Sequence, residues 1–375
     1  MSEAERELSW RHERGATGLR LGSGAFERVL GGTTRRFPSA PLLVVDESVL
    51  VGHRARLGAA AEACGGASIV ALPGGEHAKR FAELERVLEA CAAARLPRDG
   101  LLIAIGGGAC TDLAGLAAAL WMRGVAWVAV PTTLLALVDA SVGGKTAINL
   151  GAAKNLVGTF HAPCEVALDP SFLATLPGPE LRSGLAEVVK AALLSADDSF
   201  AELERFDPKS ELSSPRWLDV IERAVRLKVA VVERDERESG PRRALNLGHT
   251  LAHGLEQERG FGVLRHGDAV AIGLVAACDF AVARGLLRPE QRARVVALLA
   301  RFGLPLAPPR DLEVAAVLRA LQLDKKIERG RLRYVLPCGL PAATDGAVAF
   351  VDDLSLDEIE RWLYSSIETS SSASQ

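Results

Sequence analysis

No two of the six cysteines in this chain stand in a CxxC spacing. Cys64, Cys91, Cys110, Cys164, Cys278 and Cys338 are scattered, each among apolar or small residues. That distribution excludes a disulfide framework and a thiolate metal site, and leaves buried free thiols as the reading. Any metal here must be held by histidine and carboxylate. An excess of positive charge is missing too. The formal net charge is −3, so no overall basic field draws in nucleic acid. Single arginines and lysines can still build a local site for an anionic substrate. No stretch approaches the roughly 20 uncharged apolar residues needed to cross a bilayer, and no membrane association is expected. The N-terminal run MSEAERELSWRHERG is charged and polar, without the apolar core of a signal peptide. A cytoplasmic location is the expectation. No internal repeat is present.

What is there begins with length. The 375 residues, 49% hydrophobic and 24% charged, suffice for two domains with separate apolar cores. From Pro41 to Asp169, short β-rich runs alternate with helical stretches. LLVVD (42–46), SIVALP (68–73), LLIAI (101–105), VAWVAVP (125–131) and CEVALD (164–169) read as strands. Several are apolar without alternation, which suits a sheet covered on both faces. The runs 79–94 and 112–124 read as helices between them. This is the pattern of a Rossmann-like parallel α/β sheet, in which ligands bind at the carboxyl ends of strands. Turn residues cluster at Leu176-Pro177-Gly178-Pro179, and beyond them the periodicity is helical almost throughout. The expected division is an NAD-binding α/β domain over 1–178, an all-α metal and substrate domain over 179–364, and a disordered polar tail over 365–375.

Three constellations carry chemistry. In IGGGACTD (105–112) an apolar strand ends in three glycines and a helix follows. Glycines let the backbone approach a phosphate, and the helix N-terminus offers free N–H groups. The pattern departs from GxGxxG at Thr111, and a plain strand-to-helix turn is the alternative. Asp46, ending an earlier strand, stands where a ribose hydroxyl could be gripped; a turn or cap aspartate is the alternative. The second constellation is Glu187, His249 and His266. Three of the seven histidines fall within 249–266. A His/His/Glu set leaves a fourth position open on a Zn²⁺ ion, as a catalytic metal needs. No HExxH fixes the geometry, and His253, one turn after His249, could be a ligand, a proton shuttle or a solvated helix histidine. The third is VDASVGGKTAINLGAAKN (138–155). It is no P-loop, because Asp139 stands where the first glycine of GxxxxGK[ST] belongs. A glycine-rich loop with Lys145, Lys154 and Asn155 remains, suited to a substrate phosphate. Lys190, three residues beyond Glu187, shares its helix face, and Lys228 interrupts the apolar run VRLKVAVV. Glu238, Arg242 and Asn246 recur every four residues before His249. Each taken singly reads as a snorkelling or salt-bridged surface residue; together they mark a site for an anionic, hydroxyl-rich ligand.

Taken together these segments resemble 3-dehydroquinate synthase. GGEHAK, GGGACTDLAG, MRG, VPTTLLALVDASVGGKTAIN, KNLVGTF, TLP, ELRSGLAEVVK, LNLGHTLAH and HGDAV occur in that family's order between Val44 and Lys326. The resemblance implies that Glu187, His249 and His266 hold the metal, Zn²⁺ or alternatively Co²⁺. It implies NAD binding through Asp46, Glu76, Lys79, Gly107, Gly108, Asp112, Thr132 and Thr133, with Lys154 assigned to the same set. The substrate phosphate falls to Lys145, Asn155, His253, Lys325 and Lys326, with Arg123 supplied from the neighbouring subunit of a homodimer. The carboxylate and hydroxyl end falls to Asp139, Lys190, Lys228, Arg242 and Asn246, and Glu238 matches an acidic residue near the proton-transfer path. Lys145, Lys190, Glu238, Asn246 and His253 form the implied catalytic group. Three departures stand out. Cys110 and Thr111 replace an aliphatic-Gly pair, Ala140 a frequent serine, and Asp268 a glutamate; Thr111 is expected to crowd the cofactor loop.

The implied reaction turns a phosphorylated seven-carbon sugar acid, 3-deoxy-D-arabino-heptulosonate 7-phosphate, into 3-dehydroquinate and phosphate. Its steps are transient oxidation by NAD, β-elimination of phosphate, reduction, ring opening and intramolecular aldol closure. The rivals are another sugar phosphate cyclase, such as an aminodehydroquinate or valiolone-type synthase, a metal-dependent polyol dehydrogenase, and a non-catalytic paralogue. Arg242, Asn246 and His253 argue for an acid substrate, and a dehydrogenase needs no phosphate-binding Lys145, Lys154 or Asn155.

Overall fold

The computed structural model describes residues 5–151, 153–212, 214–260, 262–323, 327–328, 331–340 and 348–372. Contacts divide the chain into two units, Met1–Leu181 with Ser210–Glu236, and Arg182–Lys209 with Arg237–Gln375. A single boundary at residue 178 would place 210–236 in the helical part. Its polar contacts tie it instead to the first unit. Arg6 bridges Asp219 at 2.7 Å and also Glu222, the Arg11 N–H donates to Glu233 at 2.7 Å, and Lys228 meets Asp139 at 2.6 Å.

The first unit is built on a seven-stranded sheet of order β1-β2-β9-β6-β5-β3-β4. Its strands are β1 (Arg6–His12), β2 (Gly15–Leu21), β3 (Leu42–Asp46), β4 (Ser68–Leu72), β5 (Leu101–Gly106), β6 (Ala126–Pro131) and β9 (Glu165–Leu168). All neighbours pair in parallel except β1 with β2. The five strands read from the sequence are all present. Every residue of β3 and β5 is buried, which is why these runs show no alternation. The β1–β2 hairpin was masked by the charge of its sequence. Arg6, Arg11 and Arg20 lie on its strands, while Trp10, Leu19 and Leu21 are fully buried.

β6, β5 and β3 are adjacent, so their carboxyl ends bring Asp46, Gly107 and Thr132 to one edge of the sheet. The helix after the glycines starts at once, spanning Gly108–Leu120. The segment read as a glycine-rich loop is largely an antiparallel ribbon, β7 (Lys145–Leu150) with β8 (Ala153–Phe160). Lys145, Lys154 and Asn155 therefore stand on strands. The register jumps from Ile148↔Val157 to Leu150↔Ala153, so one residue of β7 opposes three of β8. Such a bulge bends a strand and re-aims its side chains. Asn155 lies in it at φ 53°, a left-handed conformation that asparagine tolerates better than most residues.

In the second unit the main helices are Ser199–Arg205, His249–Arg259, His266–Ala283, Pro289–Arg301, Val314–Leu323 and Leu356–Ser372, together with most of Gly178–Leu194. Two short strand pairs interrupt the helical pattern, Ile327–Glu328 with Arg331–Leu332 and Tyr334–Pro337 with Val348–Val351. The polar segment from Ser365 is helical as far as Ser372. His266–Ala283 is long and apolar enough to cross a membrane, yet 78% of it is buried as a core helix. Four of the six cysteines are buried thiols, while Cys164 and Cys338 are half-buried; burial pushes Cys91 up to about 11 and Cys278 up to about 12.

Candidate active site

Glu187 and Lys190 lie one turn apart on the Gly178–Leu194 helix, both almost fully buried. His249 and His266 each open a helix, where the positive dipole end favours a neutral imidazole. The three residues offer one ligand atom each, and these lie within 4.8 Å of one another. The Nε2 atoms of His249 and His266 are both 3.3 Å from Glu187 Oε1. A tetrahedral site with bonds of about 2.0–2.1 Å has edges of about 3.3–3.4 Å, so these spacings suit a shared ion. Neither buried oxygen of Glu187 makes a hydrogen bond of ordinary geometry, although Lys190 Nζ is in close contact with Oε2. The lone pairs converge on common space rather than on each other's protons, and the donor set fits a divalent metal.

The outward ring nitrogens are held as well. His249 Nδ1–H donates to the Leu247 carbonyl at 3.1 Å, and His266 Nδ1–H to Glu256 Oε2 at 3.4 Å. Both contacts place the proton on Nδ1 and turn Nε2 toward Glu187, the usual arrangement around metal-bound imidazole. Burial would raise the Glu187 carboxyl, but Lys190 and then His249 outweigh it and hold it well below the usual range. Burial, with Lys190 next, pulls His249 down to about 4. Burial also opposes charge on His266, yet the neighbouring carboxylates of Glu187 and Glu256 prevail and push it up to about 10. His253 lies outside this ligand cluster. Its ring centroid is 5.8 Å from that of His249, nearly perpendicular to it.

Close helix contact makes the cluster possible. A Cβ on Gly267 would fall 1.9 Å from the Ser183 carbonyl oxygen, and one on Gly273 would fall 2.0 Å from that of Gly248. The Gly267 N–H donates to Ser183 Oγ at 2.9 Å, locking the start of the His266 helix onto the helix of Glu187. Gly267→Ala is expected to lower stability by at least about 1–3 kcal/mol, the usual range for overpacking, because the atoms in the way are backbone. Denaturant unfolding measures it, and an unchanged midpoint would show that the two helices part freely. Ser183, Gly273 and Glu256 were missed in the sequence. Glu256 carried a usable signal, since it follows His249 by two turns on one helix face.

Arg242 is buried on the short helix Pro241–Asn246, and Asn246 Nδ2 donates to Glu238 Oε1 at 2.7 Å. The four-residue spacing does not make one α-helical face here. The turn is a tighter 3₁₀ helix, and Glu238 precedes it at φ 59°.

In the first unit the polar side chains form a chain of contacts. Lys79 Nζ, 4% exposed, meets Asp112 Oδ2 at 2.7 Å and is also in contact with Asn155 Oδ1. Asn149 ties the bulge to the same group, accepting from the Asn155 N–H at 2.9 Å and donating to Glu76 Oε1 at 2.7 Å. Asn149 was not singled out from the sequence, where it looks like one more polar residue of a strand. Burial pushes the Asp112 carboxyl up despite the attraction of Lys79. Asp46 caps the helix Glu47–Gly52, accepting from the Ser48 N–H at 2.9 Å. The Thr132 hydroxyl is buried without a hydrogen bond among the described residues, and Thr133 Oγ1 accepts from the Ala136 N–H at 3.1 Å. Asp139 lies on a single π turn, Ala136–Ala140, and Lys228 donates to its carboxylate at 2.6 Å and its carbonyl at 2.5 Å. Lys145 is exposed and Lys154 half-buried. Arg123 is exposed on a turn where Met122, Arg123 and Gly124 all have positive φ. Lys325 and Lys326 lie outside the described residues. Thr111, expected to crowd the glycine turn, is buried and donates its hydroxyl back to Gly108 O at 3.1 Å.

Curated relatives named 3-dehydroquinate synthase are 39–45% identical to this chain. The one from Synechococcus sp. (strain CC9605) is 45% identical over 294 residues, 78% of each protein. Among solved structures, 2-epi-5-epi-valiolone synthase from Streptomyces hygroscopicus subsp. jinggangensis 5008, with NAD+ and Zn2+ bound, has a TM-score of 0.83. It is 29% identical, with 98% of this chain and 99% of that one covered. A 2-deoxy-scyllo-inosose synthase complexed with carbaglucose-6-phosphate, NAD+ and Co2+ gives a TM-score of 0.82 at 25% identity, over 96% and 100%. A family model described as 3-dehydroquinate synthase N-terminal matches residues 69–183, and its C-terminal counterpart matches 184–327. Those matches span the residues that gather the Glu187 cluster and the Lys79–Asn155 contacts, and with the relatives they show that the chain belongs to the 3-dehydroquinate synthase family.

Proposed function

We propose that this chain converts 3-deoxy-D-arabino-heptulosonate 7-phosphate to 3-dehydroquinate and phosphate, using NAD and a divalent metal. The observation that carries the reading is the buried Glu187–His249–His266 cluster in a chain whose relatives bear that enzyme's name. When bound, the metal supplies Lewis acidity toward a substrate hydroxyl and NAD supplies a reversible hydride acceptor. In this reading the 1–178 part serves NAD and also supplies substrate-binding side chains, the 179–364 part serves metal and substrate, and Lys228 joins the first by its contacts.

The residues act by holding and placing. Asp46, Glu76, Lys79, Asp112, Lys154, the Gly107–Gly108 turn and the Thr132–Thr133 pair receive the dinucleotide, and the unbonded Thr132 hydroxyl supports that assignment. Lys145, Asn155 and His253, with Lys325 and Lys326, take the phosphate. Asp139 and Lys228, already paired, take substrate hydroxyls together with Lys190, Arg242 and Asn246. The pairing fixes both side chains before substrate arrives, and that order favours positioning as the source of rate. Glu238, bonded to Asn246, stands as the acidic group of the proton path. Arg123, exposed on its strained turn, would serve a neighbouring protomer, which makes the chain a homodimer; a cytoplasmic location belongs to the same proposal.

The direct test is phosphate release from the heptulosonate phosphate with NAD and Zn²⁺ present. No release under those conditions removes the reading. The Lys145 assignment has its own check. A charged donor to a phosphate is worth about 1.5–3 kcal/mol, so Lys145→Ala should cost about tenfold or more in kcat/KM. Because Lys145 is exposed, stability should hardly change, and an unchanged kcat/KM would move the phosphate elsewhere.

A further inference from the structure

We propose that Glu256 is a positioning residue of the metal centre, fixing the ring of His266 and strengthening it as a ligand through its negative charge. The inference rests on the metal reading of the Glu187–His249–His266 cluster. Glu256 lies on the His249–Arg259 helix, two turns after His249, and is 3% exposed. A carboxylate so buried must be compensated, and its Oε2 accepts from His266 Nδ1–H at 3.4 Å, the long limit of a hydrogen bond. The contact joins the helix of one histidine to the ring of the other.

The two histidines are supported differently. His249 donates to the Leu247 carbonyl, a neutral backbone group two residues away in its own chain segment. Such an acceptor fixes the tautomer and adds no net charge. His266 donates to a carboxylate, which fixes the tautomer and also draws on the Nδ1 proton, making Nε2 the more basic ligand atom. His266 also needs the restraint more, since its side chain is 28% exposed against 11% for His249.

Titration of the metal-free protein with Co²⁺, followed by its visible absorption, and competition with Zn²⁺ test the idea. E256A should weaken metal affinity by about 10–100-fold, the usual effect of losing an outer-shell partner, and should alter the shape of the Co²⁺ spectrum. E256Q keeps an oxygen acceptor without the charge and should weaken binding by less, yet measurably. Thermal melting of the metal-free forms separates this from a folding defect, and if E256A fails to fold, E256Q decides. An E256Q protein that binds Co²⁺ as tightly as the parent, with the same spectrum, overturns the proposal while leaving the metal reading intact. A parent protein that binds no Co²⁺ overturns both.

Discussion

Removal of metal is expected to abolish activity, by at least about 10³-fold, with Zn²⁺ or Co²⁺ restoring it. A thousandfold loss corresponds to about 4 kcal/mol of transition-state stabilisation, within what a Lewis acid supplies at an oxygen. Neither Lys190 nor His249 replaces that contribution. Lys190 is a cation, but it is engaged with Glu187, and His249 is kept neutral by burial and by Lys190. His249→Ala removes one of three ligand atoms and should leave protein that no longer retains stoichiometric metal after gel filtration. Glu187→Gln should do the same for a different reason, since it takes the only carboxylate from the ligand cluster. Metal analysis beside activity is the measurement. Full turnover in rigorously metal-free protein would reduce the trio to a buried hydrogen-bonding network.

The parts of this site that were legible in the sequence are those where one residue type has one chemical use. Glu187, His249 and His266 were readable because few histidines occur and cysteine ligands were excluded, and their order matched the family. The strands 42–46 and 101–105 were readable because buried parallel strands are unbroken apolar runs. Other features depend on contacts across long sequence distances. Lys79 with Asn155, and Asn149 with Glu76, join residues more than seventy positions apart through a bulge that no periodicity announces. The β1–β2 hairpin was hidden by its arginines and glutamates, which form ion pairs with one another and with the helix Pro215–Arg234. The helix Pro215–Arg234 looked like part of the helical half because its own pattern is helical. Its contacts with Arg6, Arg11 and Asp139 reveal where it belongs.

No net NADH is expected to accumulate while phosphate and 3-dehydroquinate form in equal amounts. This result separates the cyclase reading from a metal-dependent polyol dehydrogenase, whose metal and NAD requirements would be the same. A dehydrogenase makes one NADH for each substrate oxidised, so absorbance from the reduced nicotinamide grows with product. In the cyclase, oxidation serves only to acidify the neighbouring C–H so that phosphate can leave by β-elimination. The borrowed hydride must return before the carbocycle closes, and one bound NAD should support many turnovers. Deuterium placed on the carbon that is oxidised should therefore remain in the product. The residues give a reason to expect this balance. In the proposed reading Lys145 and Asn155 take a phosphate that simple alcohol oxidation does not need, and the paired Asp139 and Lys228 take further hydroxyls. Phosphate release by malachite green, absorbance at the NADH band and mass spectrometry of the labelled product measure the three quantities on one sample. Stoichiometric NADH, or loss of the deuterium to a free NADH pool, would overturn the proposed reaction while leaving the fold and the metal cluster as they stand.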